Sequence, residues 1–85
     1  MIENVRLALR ITDNVFDTEI QNLIAACIED LKPAGIAYDE NYPLMQQAII
    51  LYAKGHFGYA DAGERYLAVY ESLKTPLRLT RKLYV

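Results

Sequence analysis

The chain has 85 residues, enough for one domain, and this length excludes a multi-domain enzyme. Hydrophobic residues make up 53% and charged residues 24%, which predicts a folded chain and excludes a disordered segment. The net charge of −2 argues mildly against a protein whose whole surface binds nucleic acid. A single cysteine, Cys27, cannot form an internal disulfide, so oligomerisation is the simplest available source of extra stability.

The N-terminal residues give no sign of a leader, since residues 1–6 lack a basic segment followed by an apolar run. The longest uncharged apolar stretch, residues 48–53, has six residues. We therefore expect no signal peptide and no contact with a membrane.

Charge divides the chain unevenly. Residues 1–71 carry five basic and eleven acidic side chains, a balance of −6, whereas residues 72–85 carry four basic side chains and no acidic one. The C-terminal segment is therefore expected to behave differently from the body towards charged partners.

Helical spacing dominates the first half of the chain. Ile2, Val5 and Leu9 fit one face of a short helix, which the polar cluster 12–14 should end. A second helix is indicated by apolar residues at steps of three and four: Ile20, Leu23, Ile24, Cys27, Ile28 and Leu31. Asp13 or Asn14 can cap its start, and residues 33–35, Pro-Ala-Gly, should stop it.

Two further helices are predicted in the second half. Pro43 suits the first position of a third helix, which runs to about residue 57 or 58 with Gly55 where another helix can approach closely. Its predicted apolar face consists of Leu44, Ala48, Leu51, Tyr52 and Tyr59. A turn at residues 58–61 leads to a fourth helix from about residue 62 to residue 74, closed by Pro76. The predicted inner face of this helix is Tyr66, Val69, Tyr70 and Leu73.

Beyond Pro76 the apolar residues follow a period of two, which is typical of an extended segment. The sequence thus predicts an all-α fold, a small bundle of about four helices with an extended basic C-terminal tail. In this division residues 1–76 form the helical domain and residues 77–85 form the tail.

No pattern of catalytic or metal-binding residues is present. A metal site needs three or four convergent ligands, but the chain has one His, His56, and one Cys, Cys27, in different predicted helices. The acidic pair Glu29-Asp30 is interpreted as the solvated end of a helix, and the pair at residues 39–40 as loop polarity. We expect no catalytic residues, no metal, no cofactor and no enzymatic activity.

Three apolar side chains fall on helix faces that are otherwise polar. Ile50 and Phe57 lie on the stripe of the third helix that carries Gln46, Gln47 and Lys54, and Leu67 lies among charged residues of the fourth. Such placement predicts a contact with another subunit or a partner. The alternative is that another part of the same chain covers these residues.

The tail offers two further kinds of contact. Leu77, Leu79, Leu83 and Val85 could enter pockets of a neighbouring subunit or partner as an added strand. Arg78, Arg81 and Lys82 could approach the acidic body of the next subunit or DNA. The alternative for this segment is a frayed terminus.

Three segments carry a family resemblance: residues 8–11 (ALRI), residues 16–31 (FDTEIQNLIAACIEDL) and residues 43–58 (PLMQQAIILYAKGHFG). Together with the tyrosine-rich residues 66–73, their order and spacing resemble the small head-tail connector proteins of tailed bacteriophages and prophages. Members of this family are sometimes labelled head completion or DNA packaging proteins.

The resemblance implies a structural subunit of the virion, assembled in the bacterial cytoplasm. Such a subunit forms a homo-oligomeric ring under the portal protein at the head-tail junction. The ring extends the DNA channel without sequence-specific binding and docks the tail completion protein.

A small helical DNA-binding regulator is the alternative. The predicted helix pair around residues 33–45 superficially resembles a helix-turn-helix. However, its turn is too long, and the following helix offers only Lys54 as a basic residue, where a recognition helix normally offers several base-reading side chains. A module that binds a peptide is a third alternative.

Overall fold

The structure is a computed structural model that describes the backbone of residues 1–57 and 63–84 and the side chains up to Leu79. The described residues form helices α1 (Ile2–Ala8), α2 (Asp17–Leu31), α3 (Pro43–His56) and α4 (Gly63–Tyr84), and α2 continues into a short 3-10 turn, Lys32–Ala34. The prediction of a small all-α bundle is confirmed. The predicted turn at residues 58–61, with Tyr59, and the last residue, Val85, lie outside the described residues.

Left-handed residues end α1 and the 3-10 turn. Arg10, at φ 61°, follows α1, and the amide of Ile11 then donates to the carbonyl of Arg6 at 2.9 Å. Gly35, at φ 78°, has the same role after the 3-10 turn. Both ends are helix stops that satisfy terminal carbonyls, although only Gly35 adopts this conformation without steric cost.

The start of α2 differs from the prediction. Phe16 occupies the cap position without a side-chain hydrogen bond, so neither Asp13 nor Asn14 caps the helix. Asp13 instead accepts a hydrogen bond from the backbone amide of Val15 at 3.2 Å. The first turn of α2 carries Asp17 and Glu19, whose carboxylates suit the positive end of the helix dipole.

One core joins all four helices. Its buried apolar residues are Val5, Leu9, Ile20, Ile24, Cys27, Leu31, Ile36, Met45, Ala48, Ile49, Ala53, Tyr70 and Leu77. On α3 the predicted face is rotated, because Met45, Ile49 and Ala53 are buried while Leu51 and Tyr52 are half-buried. The helix packs against α1 and α2 as well as α4, so apolar residues surround most of it and its periodicity indicates no single face.

The C-terminal segment is the main correction to the predicted fold. An extended tail is not confirmed: α4 continues through Pro76 to Tyr84, and Leu77 is completely buried. Tyr70, Leu73 and Leu77 follow each other at steps of three and four, so the inner face of α4 continues past the proline. Val69, which was predicted on this face, is 44% exposed. Proline removes one backbone hydrogen bond from the helix, and burial of Leu77 offsets that loss.

Two glycines allow α3 and α4 to pack closely. A Cβ atom added to Gly55 would lie 2.5 Å from Cγ of Leu67, and one added to Gly63 would lie 3.0 Å from the carbonyl oxygen of Gly55. The prediction that another helix approaches at Gly55 is confirmed.

Candidate functional site

The residues that could carry chemistry do not form a catalytic or metal centre in the described part of the chain. No three His, Cys, Asp or Glu side chains among the described residues are placed to hold a metal ion. His56 is exposed and packs against Tyr52, with ring centroids 4.4 Å apart. Cys27 is buried, and burial raises the pKa of its thiol from 9.0 to about 11, so the thiolate needed for nucleophilic attack is disfavoured.

A polar cluster between α2 and α4 was not predicted from the sequence. The hydroxyl of Tyr70 donates to Oδ2 of Asp30 at 2.6 Å, and Nζ of Lys74 lies 2.9 Å from the same oxygen. Nζ of Lys74 also binds Glu71 at 3.0 Å, and the thiol of Cys27 lies 3.7 Å from the Tyr70 hydroxyl as a weak donor. This network fixes α4 on α2 at one register.

The ionisation of the cluster follows from these contacts. Hydrogen bonds from Tyr70 and then Lys74 lower the pKa of Asp30. Burial opposes the charge on Lys74, but hydrogen bonds to Asp30 and Glu71 outweigh it and raise its pKa. Burial, followed by the hydrogen bond to Asp30, raises the pKa of Tyr70. The stable state of the cluster is therefore an ionised Asp30 that is bound by the neutral hydroxyl of Tyr70 and the ammonium group of Lys74. These contacts have a structural role.

The residues predicted at a subunit contact are half-buried against their own chain. Ile50 packs on the core cluster, and Leu67 lies over Gly55. The ring of Phe57 makes an edge contact with Phe16, with centroids 5.3 Å apart. Part of each side chain is thus covered within the subunit, and part remains accessible to another molecule.

The residues predicted for contacts of the tail have different environments. Leu77 is part of the core and cannot reach a neighbour, whereas Arg78 and Leu79 are exposed on α4. The side chains of Arg81, Lys82 and Leu83 lie outside the described part.

Sequence reasoning missed the exposed apolar residues at the connection between α1 and α2. Leu7 is 76% exposed, Val15 73% and Phe16 43%. Val15 and Phe16 lie in a polar linker, and Leu7 was outside the predicted apolar face of α1, so no periodic pattern marked them. The clearest available signal was their occurrence among polar residues, the reasoning applied to Ile50 and Phe57.

The fold and its surfaces define a class of protein: a small helical protein with a fixed core and apolar residues exposed at its surface. Within the described ranges, none of the helices is long and apolar enough to cross a membrane. The family described as "Phage connector protein" matches residues 1–83, and the chain belongs to this family. No curated protein and no solved structure matches the chain.

Proposed function

We propose that this protein is a structural head-tail connector subunit that forms a ring under the phage portal. The observation that carries the proposal is membership of the phage connector family over residues 1–83. In this function the ring extends the DNA channel, and its free face receives the tail completion protein. The role requires shape and assembly, and it requires no catalysis.

The surface of the subunit is consistent with such a role. Exposed apolar residues occur on α1, in the following turn and on α4, and apolar residues in this state favour contact with other protein surfaces. Basic residues after position 72 are suited to a neighbouring acidic surface or to the phosphates of DNA passing through the channel. Contact with DNA would then be independent of base sequence.

The proposed subunit contact uses only the exposed parts of three side chains, Ile50, Phe57 and Leu67. Phe57 is the best placed of them, since its ring supports the exposed ring of Phe16. Ile50 and Leu67 also stabilise their own subunit, so a charged substitution there would reduce folding together with assembly.

The proposal is tested with the portal protein encoded in the same genome. The wild-type protein is mixed with purified portal rings, and the complex is examined by sedimentation and by electron microscopy of single particles. We expect an added ring coaxial with the portal, and we expect phage that lack the gene to accumulate DNA-filled heads without tails.

Two results would contradict the proposed function. The first is absence of portal binding together with normal tail attachment in phage that lack the gene. The second is a specific gel shift with one DNA sequence that persists at physiological salt, which is the behaviour of a regulator.

A further inference from the structure

The connection between the 3-10 turn and α3 contains a stretch of unpaired backbone, residues 36–38, which we call the open segment. From Ile36 to Asp39 the chain forms no helix, turn or bend. Ile36 anchors the segment, because its side chain is buried and its amide donates to the carbonyl of Leu31 at 3.2 Å. Ala37 and Tyr38 are exposed, and their amides and carbonyls make no hydrogen bond within the described residues. The open segment thus resembles the unpaired edge of a sheet.

A groove of about 390 Å³ lies beside the open segment, a volume in the range of ligand sites. Ile28 and Tyr38 contribute apolar surface to its lining, and Lys32 contributes a charged side chain whose ammonium group lies 2.6 Å from Glu29. Gly35 belongs to the same lining, and a Cβ atom added to it would meet no atom within 4 Å. Another chain can therefore approach the backbone here without a clash.

Acidic side chains follow the open segment directly. Burial, followed by the charges of Glu40 and Asp39, raises the pKa of the Tyr38 phenol, so the negative potential of these carboxylates reaches the groove. The nearby cations are Lys32, paired with Glu29, and the N-terminal ammonium group, 3.4 Å from Glu40. Counting both cations against Glu29, Asp39 and Glu40 leaves one negative charge. A basic side chain is therefore favoured at this end of the groove.

The unpaired backbone groups determine which conformation of a ligand fits. A helix has its own backbone groups paired, so it would leave those of Ala37 and Tyr38 unused. An extended peptide has free amides and carbonyls and can satisfy them, as in strand addition to a sheet edge.

We propose that the open segment binds an extended peptide segment of another protein by strand addition. An apolar side chain of the peptide occupies the groove, and a Lys or Arg lies near Asp39 and Glu40. Backbone groups of successive strand residues point to opposite edges, so the peptide pairs with either Ala37 or Tyr38 and not with both. The inference goes beyond the proposed ring, since it concerns a site on a single subunit.

The test selects ligands for the full chain from a bead-bound library of random peptides of about ten residues, long enough for one strand. Enriched peptides should contain alternating apolar residues and at least one Lys or Arg, and their paired stretch should lack proline. Amide hydrogen exchange of the complex locates the site. The amide of either Ala37 or Tyr38 should exchange slower by roughly tenfold or more, while the other stays unchanged.

Backbone methylation of a selected peptide provides a control that leaves its side chains intact. The peptide is resynthesised in two forms, each N-methylated at one of the two alternating sets of residues. Each form has lost the donors of one strand edge. One form should bind weaker by roughly tenfold or more, and the other should bind like the parent peptide.

The charge part of the inference is tested with two matched acids. Asp39 and Asp13 each accept a hydrogen bond from the backbone amide two residues later, at 3.0 and 3.2 Å. Asp39→Asn should weaken binding of a basic peptide by about two- to fivefold, the effect of an exposed charge pair. Asp13→Asn should bind like the wild type.

Five results would overturn the inference. They are no enrichment of any peptide, exchange changes confined to residues outside 35–40, equal binding of the two methylated forms, equal binding by Asp39→Asn and Asp13→Asn, or protection of the open segment that rises with protein concentration in the absence of peptide. The last result would assign the open segment to a second copy of the chain. None of these measurements uses the portal protein, so their outcome is separate from the test of the proposed function.

Discussion

At the scale of single residues, the most informative side chain is Tyr70. Its ring is buried between helices, 5.1 Å from the ring of Tyr52, and its hydroxyl reaches across to Asp30. Buried hydroxyl groups need a partner, and this one meets a carboxylate that Lys74 holds in place. The contact links two helices through atoms that helical periodicity does not reveal.

Replacing Tyr70 by Phe should lower the free energy of unfolding by about 1 to 3 kcal/mol. The substitution keeps the ring and removes the hydrogen bond to a charged acceptor. Urea denaturation at neutral pH measures the effect, and Tyr38→Phe serves as the control because Tyr38 is 36% exposed. Equal stability of Tyr70→Phe and the wild type would show that the hydroxyl has no net stabilising role.

The same cluster predicts a dependence of stability on pH. The pKa of Asp30 is lower in the folded state than its ordinary value of 3.8, so its contribution is present above about pH 4 and is lost as the pH falls through the folded value. Asp30→Asn should therefore be less stable than the wild type at neutral pH, and the difference should shrink at an acidic pH below about 4. Urea midpoints at the two pH values measure this.

The hydrogen bond from Tyr70 is the largest cause of the lowered pKa, so the Tyr70→Phe background provides the control. In that background Asp30→Asn should remove a smaller part of the acid dependence. An undiminished effect would assign the pH dependence to Lys74 alone.

At the scale of helices, the contact between α3 and α4 depends on the absence of two side chains. Gly55 and Gly63 permit the two backbones to meet where α3 ends and α4 begins, and Leu67 closes over Gly55. Glycine weakens a helix by about 1 kcal/mol relative to alanine, so its presence inside α3 has a packing reason.

Gly55→Ala should reduce stability by about 1 to 2 kcal/mol, because crowding against Leu67 exceeds the gain in helix propensity. Thermal and urea unfolding measure the change. The double variant Gly55→Ala, Leu67→Ala is the matched test: removing the Leu67 side chain should make the alanine at position 55 neutral or stabilising. If the two substitutions are additive, Leu67 is not the residue that requires glycine.

The helices also show which features of the fold could be predicted from the sequence. Helical spacing predicted α2 and the start of α3, since amphipathic periodicity and Pro43 are local signals. The end of α4 could not be predicted in this way, because Pro76 and the alternation after it favour a stop, while burial of Leu77 depends on packing. The role of Asp30 could not be predicted for the same reason. In the sequence, Asp30 and Glu29 resemble a solvated acidic pair, and only packing brings Tyr70 and Lys74 next to Asp30.

At the scale of the whole molecule, the basic end of the chain is partly core and partly surface. Leu77 is completely buried and Leu79, two residues later on the same helix, is 53% exposed. A deletion from residue 77 onward would consequently remove a core side chain together with exposed residues, so it cannot separate folding from assembly.

Folding and assembly can be separated with a matched pair of variants, Leu77→Ala and Leu79→Ala. Leu77→Ala should cost about 2 to 5 kcal/mol of unfolding free energy because it leaves a cavity. Leu79→Ala should change stability by no more than about 0.5 kcal/mol because its side chain is exposed, and under the proposed function it should weaken assembly. Chemical denaturation and sedimentation measure the two properties independently. Similar free energies of unfolding for the two variants would show that Leu77 is not a core residue.

Most of the packing between helices joins helices that are neighbours in the chain, and this has a kinetic consequence. Helical bundles with such local contacts fold in microseconds to milliseconds, roughly, since little loop entropy is lost before contacts form. Association at about 10⁵ to 10⁷ M⁻¹s⁻¹ takes on the order of 0.1 to 10 s at micromolar concentration. A newly made subunit thus reaches its final shape well before it meets a second one, so under the proposed function the ring grows by association of subunits that are already folded.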